Sequence, residues 1–82
     1  MDHFNCDLEI DVRGFVCPLP LLRTKKALLK MAAGQIVKIF ATDPAAELDF
    51  RVFAELSGNP LLKTDREGDT FIFWLQKKET NV

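Results

Sequence analysis

The fold is decided by the stretch Leu8-Glu9-Ile10-Asp11-Val12-Arg13-Gly14-Phe15-Val16-Cys17-Pro18-Leu19-Pro20, which takes the chain from a strand through a turn into a helix. Residues 8–12 alternate apolar and acidic side chains, and this period predicts a strand with one buried face. Gly14 interrupts the alternation where a turn needs conformational freedom. The residues from Leu21 to about Ala33 are good helix formers, and Gly34 follows them in the position of a C-cap glycine. A strand, a turn and a helix are therefore predicted in this order.

One face of this first helix is free of charge and is predicted to be buried. It consists of Leu21, Thr24, Ala27, Leu28 and Met31. Leu22 and Leu29 then lie on a more exposed flank beside Lys25 and Lys26. These two leucines either cover the rim of the core or form an apolar docking surface.

The remaining chain predicts three more strands and one more helix. Residues 35–42 are almost continuously apolar and β-branched, as expected of a central strand. Asp43 and Pro44 fit the N-cap and first position of a second helix, which runs to about Leu56. The buried side of that helix is predicted to contain Ala46, Phe50, Phe53 and Ala54. Residues 61–65 and 70–76 form two strands joined by a hairpin loop at residues 66–69.

The predicted fold class is α+β, a two-layer α/β sandwich with the order βαβαββ. Because successive right-handed crossovers place their helices on the same side, both helices are expected on one face of a four-stranded mixed sheet. The length of 82 residues fits a single domain, residues 1–82. Its core is predicted to span about residues 8–77, with flexible tails at 1–7 and 78–82.

Composition and charge exclude several classes of function. The chain has no signal-like N-terminus and no long apolar run, so we expect a cytoplasmic protein that does not enter a membrane. Eleven basic residues nearly balance twelve acidic ones, which argues against direct binding of nucleic acid through net charge. Two cysteines and one histidine cannot complete a four-ligand metal site, and no cofactor is expected.

Cys17 is the candidate functional residue, because it precedes a first helical turn that contains two prolines. With Cys17 as the N-cap, Pro18 and Pro20 occupy helical positions that need no N–H, and the N–H of Leu19 points toward the thiol. The residue before a proline is also held in an extended conformation. Since the helix dipole favours negative charge there, we expect the pKa of Cys17 to lie below the free value of about 8.5. Arg13 could add a positive field.

The absence of a suitable base limits what Cys17 can do. The only histidine is His3, in the N-terminal tail, so a Cys-His pair for acyl transfer is not supported. A nucleophilic sulfur without a base suits thiolate attack on another sulfur. Cys6 is interpreted as an incidental thiol, although a disulfide or resolving role with Cys17 is an alternative.

These residues resemble the TusA, SirA and YedF group of sulfur carrier proteins, which begin with a Leu-Asp-x-x-Gly-x-x-Cys-Pro-x-Pro motif. Residues 10–20 match it with Ile10 at the first position, and the resemblance extends from Leu8 to Lys77 through Lys26, Gly34, residues 43–45, Asp49 and residues 57–58. The resemblance implies that Cys17 accepts sulfane sulfur as a persulfide from a cysteine desulfurase or another persulfide donor. Cys17 then passes it to a downstream acceptor protein in tRNA thiolation, molybdenum-cofactor synthesis or sulfur metabolism. Such a chain is a sulfurtransferase-type carrier rather than a stand-alone enzyme.

The site predicted in this way has a carrier residue and a supporting set. Cys17 is the carrier, and the supporting residues are Asp11, Arg13, Gly14, Pro18, Leu19 and Pro20. Arg23 and Lys26 are the candidate partner-binding residues, which would meet an acidic surface of the donor. Val16 and Leu19 depart from the basic and acidic residues that tRNA-type carriers often have there, so different partners are expected. The alternative function is a non-catalytic regulatory or interaction module in which Cys17 is structural.

Overall fold

The computed structural model describes residues 5–79 and confirms the predicted order βαβαββ. The strands are β1 (Leu8–Asp11), β2 (Ile36–Ala41), β3 (Leu61–Glu67) and β4 (Thr70–Gln76). The helices are α1 (Leu19–Leu29), between β1 and β2, and α2 (Ala46–Ser57), between β2 and β3.

The four strands form one mixed sheet in the order β1-β2-β4-β3. β1 and β2 are parallel neighbours, with Ile10 opposite Ile39. β4 runs antiparallel to both β2 and β3 and lies between them. Because β1 and β2 are parallel, their carboxyl ends meet at the same edge of the sheet, and the loops that follow them are neighbours.

The core lies on one face of the sheet and includes residues from both helices. The alternate side chains Val37, Ile39, Phe73 and Leu75 are fully buried there, together with Phe50 of α2. The rings of Phe50 and Phe73 are stacked with centroids 4.6 Å apart. Leu28 of α1 belongs to the same cluster. Both helices therefore cover one face, which confirms the two-layer α+β sandwich.

The predicted buried face of α1 is confirmed. Thr24, Leu28 and Met31 are buried and Leu21 packs against the core, whereas Leu22 and Leu29 are 50% and 82% exposed. The Thr24 hydroxyl donates a hydrogen bond to the C=O of Pro20 at 2.9 Å, so this polar side chain is satisfied inside the core.

The bounds of α1 differ from the prediction at both ends. The helix begins at Leu19, one residue after the Pro18 start that a Cys17 N-cap predicts, and ends at Leu29 rather than near Ala33. The last turn tightens, because the N–H of Lys30 donates to the C=O of Ala27 at 3.0 Å. The N–H of Gly34 donates to the C=O of Lys77 instead of capping the helix.

The second helix and the hairpin also shift by a few residues. Asp43 does not directly precede α2, which begins at Ala46 after a turn, although the Asp43 carboxylate accepts the N–H of Ala45 at 3.2 Å. The predicted stop is confirmed, since Gly58 follows the helix with a left-handed φ of 81°. β3 extends to Glu67 and leaves only Gly68 and Asp69 as the hairpin loop.

The second face of the sheet has no helix over it among residues 5–79. Trp74 and Phe40 lie on this face, and cationic side chains cover their rings. The Lys38 ammonium is 5.3 Å from the Trp74 ring centroid and 5.1 Å from that of Phe40, and the Lys63 ammonium is 5.1 Å from that of Trp74. Their aliphatic stems thus shield the aromatic surface from water.

Ordered contacts begin one residue outside each predicted limit of the core. The N–H of Asp7 donates to the C=O of Ile36 at 2.7 Å, and the N–H of Lys78 donates to the side chain of Asn59 at 2.9 Å. The outer parts of the two predicted tails, residues 1–4 and 80–82, and with them His3, lie outside the described residues. Neither α1 nor α2 is long and apolar enough to cross a membrane.

Candidate functional site around Cys17

Cys17 lies in the loop between β1 and α1, at the edge of the sheet where two parallel strands end. Its thiol is free and exposed. The Cys17 N–H donates a hydrogen bond to Oδ2 of Asp43 at 2.7 Å, and the N–H of Gly14 donates to Oγ1 of Thr42 at 2.9 Å. The loop after β1 is thus fixed to the loop after β2, which holds the thiol in a defined place at the surface.

The prediction that Cys17 is the N-cap of α1 is wrong. The N-cap is Pro18, which follows a cis peptide bond, and Leu19 is the first helical residue. The N–H of Leu19 donates to the C=O of Val16 at 2.9 Å and is therefore not available to the thiol. Pro20 is buried, while Leu19 is 44% exposed beside the site.

The expected fall in the pKa of Cys17 is also contradicted. A hydrogen bond to the Asp49 carboxylate raises the pKa of the Cys17 thiol above its ordinary value. Partial desolvation and the negative charges of Asp49 and Asp43 act in the same direction. The two carboxylates make the thiolate less favourable, and the N–H of Leu19, on which the dipole argument relied, donates to the C=O of Val16 instead. The thiol of the unmodified protein is therefore predominantly protonated at neutral pH.

Arg13 forms an ion pair with Asp11. The guanidinium contacts both oxygens of the Asp11 carboxylate, with Nε at 2.9 Å and Nη2 at 2.8 Å. The Arg13 N–H adds a third bond at 3.0 Å. Hydrogen bonding to Arg13 lowers the pKa of Asp11 to about 2. The pair braces the turn that Gly14 makes with a φ of 86°, and the positive field expected of Arg13 is largely neutralised.

Cys6 lies far from Cys17, so a disulfide between them does not fit this fold. Cys6 precedes Asp7, which pairs with the first residue of β2, whereas Cys17 binds Asp43 beyond the last residue of β2. The six residues of β2 span about 16 Å, well beyond the Cα separation of about 7 Å that a disulfide tolerates. The Cys6 thiol instead donates to Glu9 at 3.7 Å.

The candidate docking residues Arg23 and Lys26 lie on the side of α1 that faces β1. They line a shallow cavity together with Ile10 and Val12. The Arg23 guanidinium is 4.9 Å from the ring centroid of Phe15, which fixes it near the loop that carries Cys17.

A second surface adjoins Cys17 on the other side of α1. It is a groove of about 450 Å³ between α1 and α2, lined by Leu21, Lys25, Leu48, Asp49, Val52, Phe53, Leu56 and Ser57. Asp49 belongs both to this groove and to the surroundings of the Cys17 thiol. Through Asp49, the groove between α1 and α2 is thus continuous with the candidate site.

Sequence reasoning missed the contacts of Asp43 and Asp49 with Cys17. The signal for Asp43 was present, because it follows the strand predicted to be central, and the carboxyl ends of parallel strands meet at one edge. The resemblance includes Asp49 but assigns it no role, because only the tertiary packing brings α2 beside Cys17. Within residues 5–79, no group of three or more histidine, cysteine or acidic side chains is placed to hold a metal ion.

Comparison with known proteins agrees with this fold and motif. The family model described as sulfurtransferase TusA matches residues 8–77. The sulfur carrier protein TusA of Allochromatium vinosum is 45% identical over 71 residues, covering 87% of this chain and 93% of that protein. The sulfur carrier protein TusA of Pseudomonas putida is 33% identical over 78 residues, covering 95% and 98%.

A solved structure gives the same result. The crystal structure of the SirA-like protein from Desulfitobacterium hafniense superposes with a TM-score of 0.76 at 26% identity, covering 88% of this chain and 99% of that one. Together with the family match over residues 8–77, these relatives identify the chain as a member of the TusA family of sulfur carrier proteins.

Proposed function

We propose that this protein carries a sulfane sulfur as a persulfide on Cys17 and relays it between a donor and an acceptor protein. The free, exposed Cys17, in a loop that hydrogen bonds fix to the loop after β2, carries this proposal. In the accepting step, the Cys17 thiolate attacks the terminal sulfur of a donor persulfide, and the bond between the donor's two sulfurs breaks. The donor thiolate leaves and takes up a proton, so no oxidant or reductant is consumed.

The donor is a cysteine desulfurase or another persulfide-bearing protein, and the acceptor belongs to tRNA thiolation, molybdenum-cofactor synthesis or sulfur metabolism. We place this exchange in the cytoplasm, where thiols are kept reduced. The supporting residues hold the loop: Asp11 and Arg13 brace the turn, and Gly14 and Thr42 join it to the neighbouring loop. Pro18, Leu19 and Pro20 direct the chain from Cys17 into α1.

The alternative, a regulatory module with a structural Cys17, is disfavoured by the exposure of this side chain. A structural cysteine packs inside a core, whereas the Cys17 thiol is accessible to a visiting protein. We therefore expect Cys17→Ala to retain the fold and to lose sulfur transfer.

Loading by a donor tests the proposal. The protein is incubated with a cysteine desulfurase and cysteine, and its intact mass is measured. We expect a gain of one sulfur mass in the wild type and in Cys6→Ser, and no gain in Cys17→Ser. A Cys17→Ser variant that still gains the sulfur would refute the role of Cys17.

Docking is tested by charge reversal on the side of α1 that faces β1. If Arg23 and Lys26 meet an acidic donor surface, Arg23→Glu with Lys26→Glu should slow loading. The matched control is Arg51→Glu on the exposed side of α2. Equal loading rates in the double variant and the wild type would remove the docking role of these two residues.

A further inference from the structure

β1 is an edge strand, and one side of it has no neighbouring strand within residues 5–79. The sheet order is β1-β2-β4-β3, so β1 pairs with β2 alone. The N–H of Val12, just after β1, donates to the C=O of Phe40 at 2.8 Å. Because the backbone groups of successive strand residues point to opposite sides, those of Glu9 and Asp11 face the open side. They are available to pair with the backbone of another extended chain.

The other edge strand of the sheet, β3, is protected against such pairing, whereas β1 is not. β3 contains a register irregularity between Leu61 and Lys63, and four of its last five residues are charged. Bulges and charged side chains, lysine above all, keep edge strands from pairing with other chains. β1 keeps a regular register with β2 over four residue pairs and contains neither lysine nor proline. Its open edge is therefore the one suited to a partner.

Cationic side chains of α1 line the cavity beside this open edge. The cavity, of about 480 Å³, has Leu8 and Ile10 on the strand side and Arg23, Lys26 and Lys30 on the helix side. The three cations are three and four residues apart, so they form one row along the helix, here called the basic row. All three are exposed, and none forms an ion pair with another residue of the described chain. Their uncompensated charge favours an acidic partner.

We propose that the open edge of β1 binds an extended acidic segment of the sulfur donor, which adds a fifth strand to the sheet. This inference rests on the proposed carrier function and specifies how the donor is recognised. The backbone of the segment forms hydrogen bonds with Glu9 and Asp11, and its acidic side chains, at every second position, face the basic row.

The spacing of side chains on a strand fits the basic row. α1 connects two parallel strands and therefore runs back antiparallel to β1. Three or four helical residues rise about 4.5–6 Å, and two residues of a strand advance about 6.5–7 Å. Long lysine and arginine side chains take up this difference. Each acidic side chain of the segment can thus meet one cation.

The opposite face of the incoming strand meets different chemistry. On that face a small cavity of about 290 Å³ is lined by Glu9, Ile10, Asp11, Arg13 and Phe40. Asp11 is paired with Arg13 at 2.8 Å, so the charge of Glu9 is the one left uncompensated by an ion pair there. Acidic side chains are disfavoured on this face. The expected segment therefore alternates acidic residues with uncharged residues that favour strands.

The same edge leads to the site of sulfur transfer. β1 ends at Asp11, and the loop that follows contains Phe15, whose ring centroid is 4.9 Å from the Arg23 guanidinium, and then Cys17. A donor segment that lies along β1 therefore directs the donor toward the loop of Cys17. A single added strand buries less surface than a standard interface, so the donor can dissociate after transfer.

Binding is measured by fluorescence anisotropy with the labelled peptide Glu-Val-Glu-Val-Glu-Val-Glu. The control peptide Glu-Glu-Glu-Glu-Val-Val-Val has the same composition but places only two acidic side chains on either face, and it should bind about threefold or more weakly. Arg23→Glu with Lys26→Glu should weaken binding of the alternating peptide about tenfold or more, whereas Arg51→Glu on α2 should leave it unchanged. Equal affinity for both peptides would overturn the inference.

Backbone pairing is tested on the wild-type protein with two methylated forms of the alternating peptide. One carries methyl groups on the glutamate backbone nitrogens and the other on the valine nitrogens. Only one of these sets faces β1, and which one depends on whether the segment runs parallel or antiparallel. We therefore expect one form to bind about tenfold or more weakly and the other to bind normally. Normal binding of both forms would contradict strand addition.

Competition separates this inference from the proposed function. Saturating alternating peptide should slow loading of Cys17 by a cysteine desulfurase at least about threefold. It should leave loading by glutathione persulfide, a small donor without a docking segment, unchanged. A peptide that binds but does not slow the desulfurase would overturn the donor as the occupant of this edge. Failure of both donors to load the peptide-free protein would overturn the proposed function, while binding of the peptide at the edge would stand.

Discussion

The hydrogen bonds that the Asp43 carboxylate accepts give the most quantitative prediction. This carboxylate accepts the Cys17 N–H at 2.7 Å and the Ala45 N–H at 3.2 Å, so Asp43→Ala removes two hydrogen bonds. Because Asp43 is only partly buried, water replaces part of each bond, and we estimate a cost of about 1 kcal/mol per bond, or about 2 kcal/mol together. For a domain of this size, that corresponds to a fall in Tm of about 8–16 °C.

Asp43→Asn separates geometry from charge. Its amide oxygen can still accept the Cys17 N–H, so we expect about half of the loss seen with alanine. Urea unfolding and thermal melts of the wild type and both variants measure the difference. The control is Glu55→Ala, an exposed helix position where the change should stay within about 0.5 kcal/mol. The reasoning would be refuted if Asp43→Ala were no more destabilising than this control, or if the asparagine variant lost as much stability as the alanine variant.

Three further changes test other parts of the fold. Phe50→Ala removes a fully buried ring stacked on Phe73, and urea denaturation should show a loss of about 3–5 kcal/mol, whereas an exposed-site cost below 1 kcal/mol would contradict the assigned core. Asp11→Asn breaks the pair with Arg13. Because the folded pKa of Asp11 is depressed to about 2, its stabilising effect is present above about pH 4 and is lost as the pH falls through 2. The Tm values of the variant and the wild type should therefore converge at low pH. A difference in Tm that stays the same at every pH would contradict this reasoning. Gly14→Ala places a side chain at a φ of 86° in open space, so it should lower the unfolding free energy by about 1–2 kcal/mol through backbone strain alone. Gly14→Asn should lower it less. Equal stability of the wild type and both variants would show that the turn relaxes.

The fold could be predicted because its signals are local and agree with one another. The alternation in residues 8–12, the charge-free side of α1 and the glycine after α2 each determine an element without reference to the rest of the chain. The order of the strands could not be predicted from these local signals, because they do not show whether β3 or β4 pairs with β2. That arrangement depends on Phe73 and Leu75 filling the space below Phe50, which is a property of the assembled core.

The chemistry of the site was harder to predict than its position. The proline motif correctly placed Cys17 just before the first helix, where the structure leaves it exposed. The prediction of its protonation failed because the dipole argument considered α1 alone, whereas Asp49 and Asp43 raise the pKa of the thiol. Electrostatics at an exposed loop depend on neighbours that are distant in sequence, and those neighbours are known only after the layers pack.

The central claim is that the transferred sulfur resides on Cys17, and trypsin offers a direct measurement because it separates the two cysteines. Cleavage after Arg13 and Arg23 places Cys6 in the peptide of residues 1–13 and Cys17 in the peptide of residues 14–23. After loading by a cysteine desulfurase and trapping with iodoacetamide, mass spectrometry should find one extra sulfur in the second peptide alone, and its loss after treatment with reductant. Extra sulfur confined to the first peptide, or absent from both, would contradict the account.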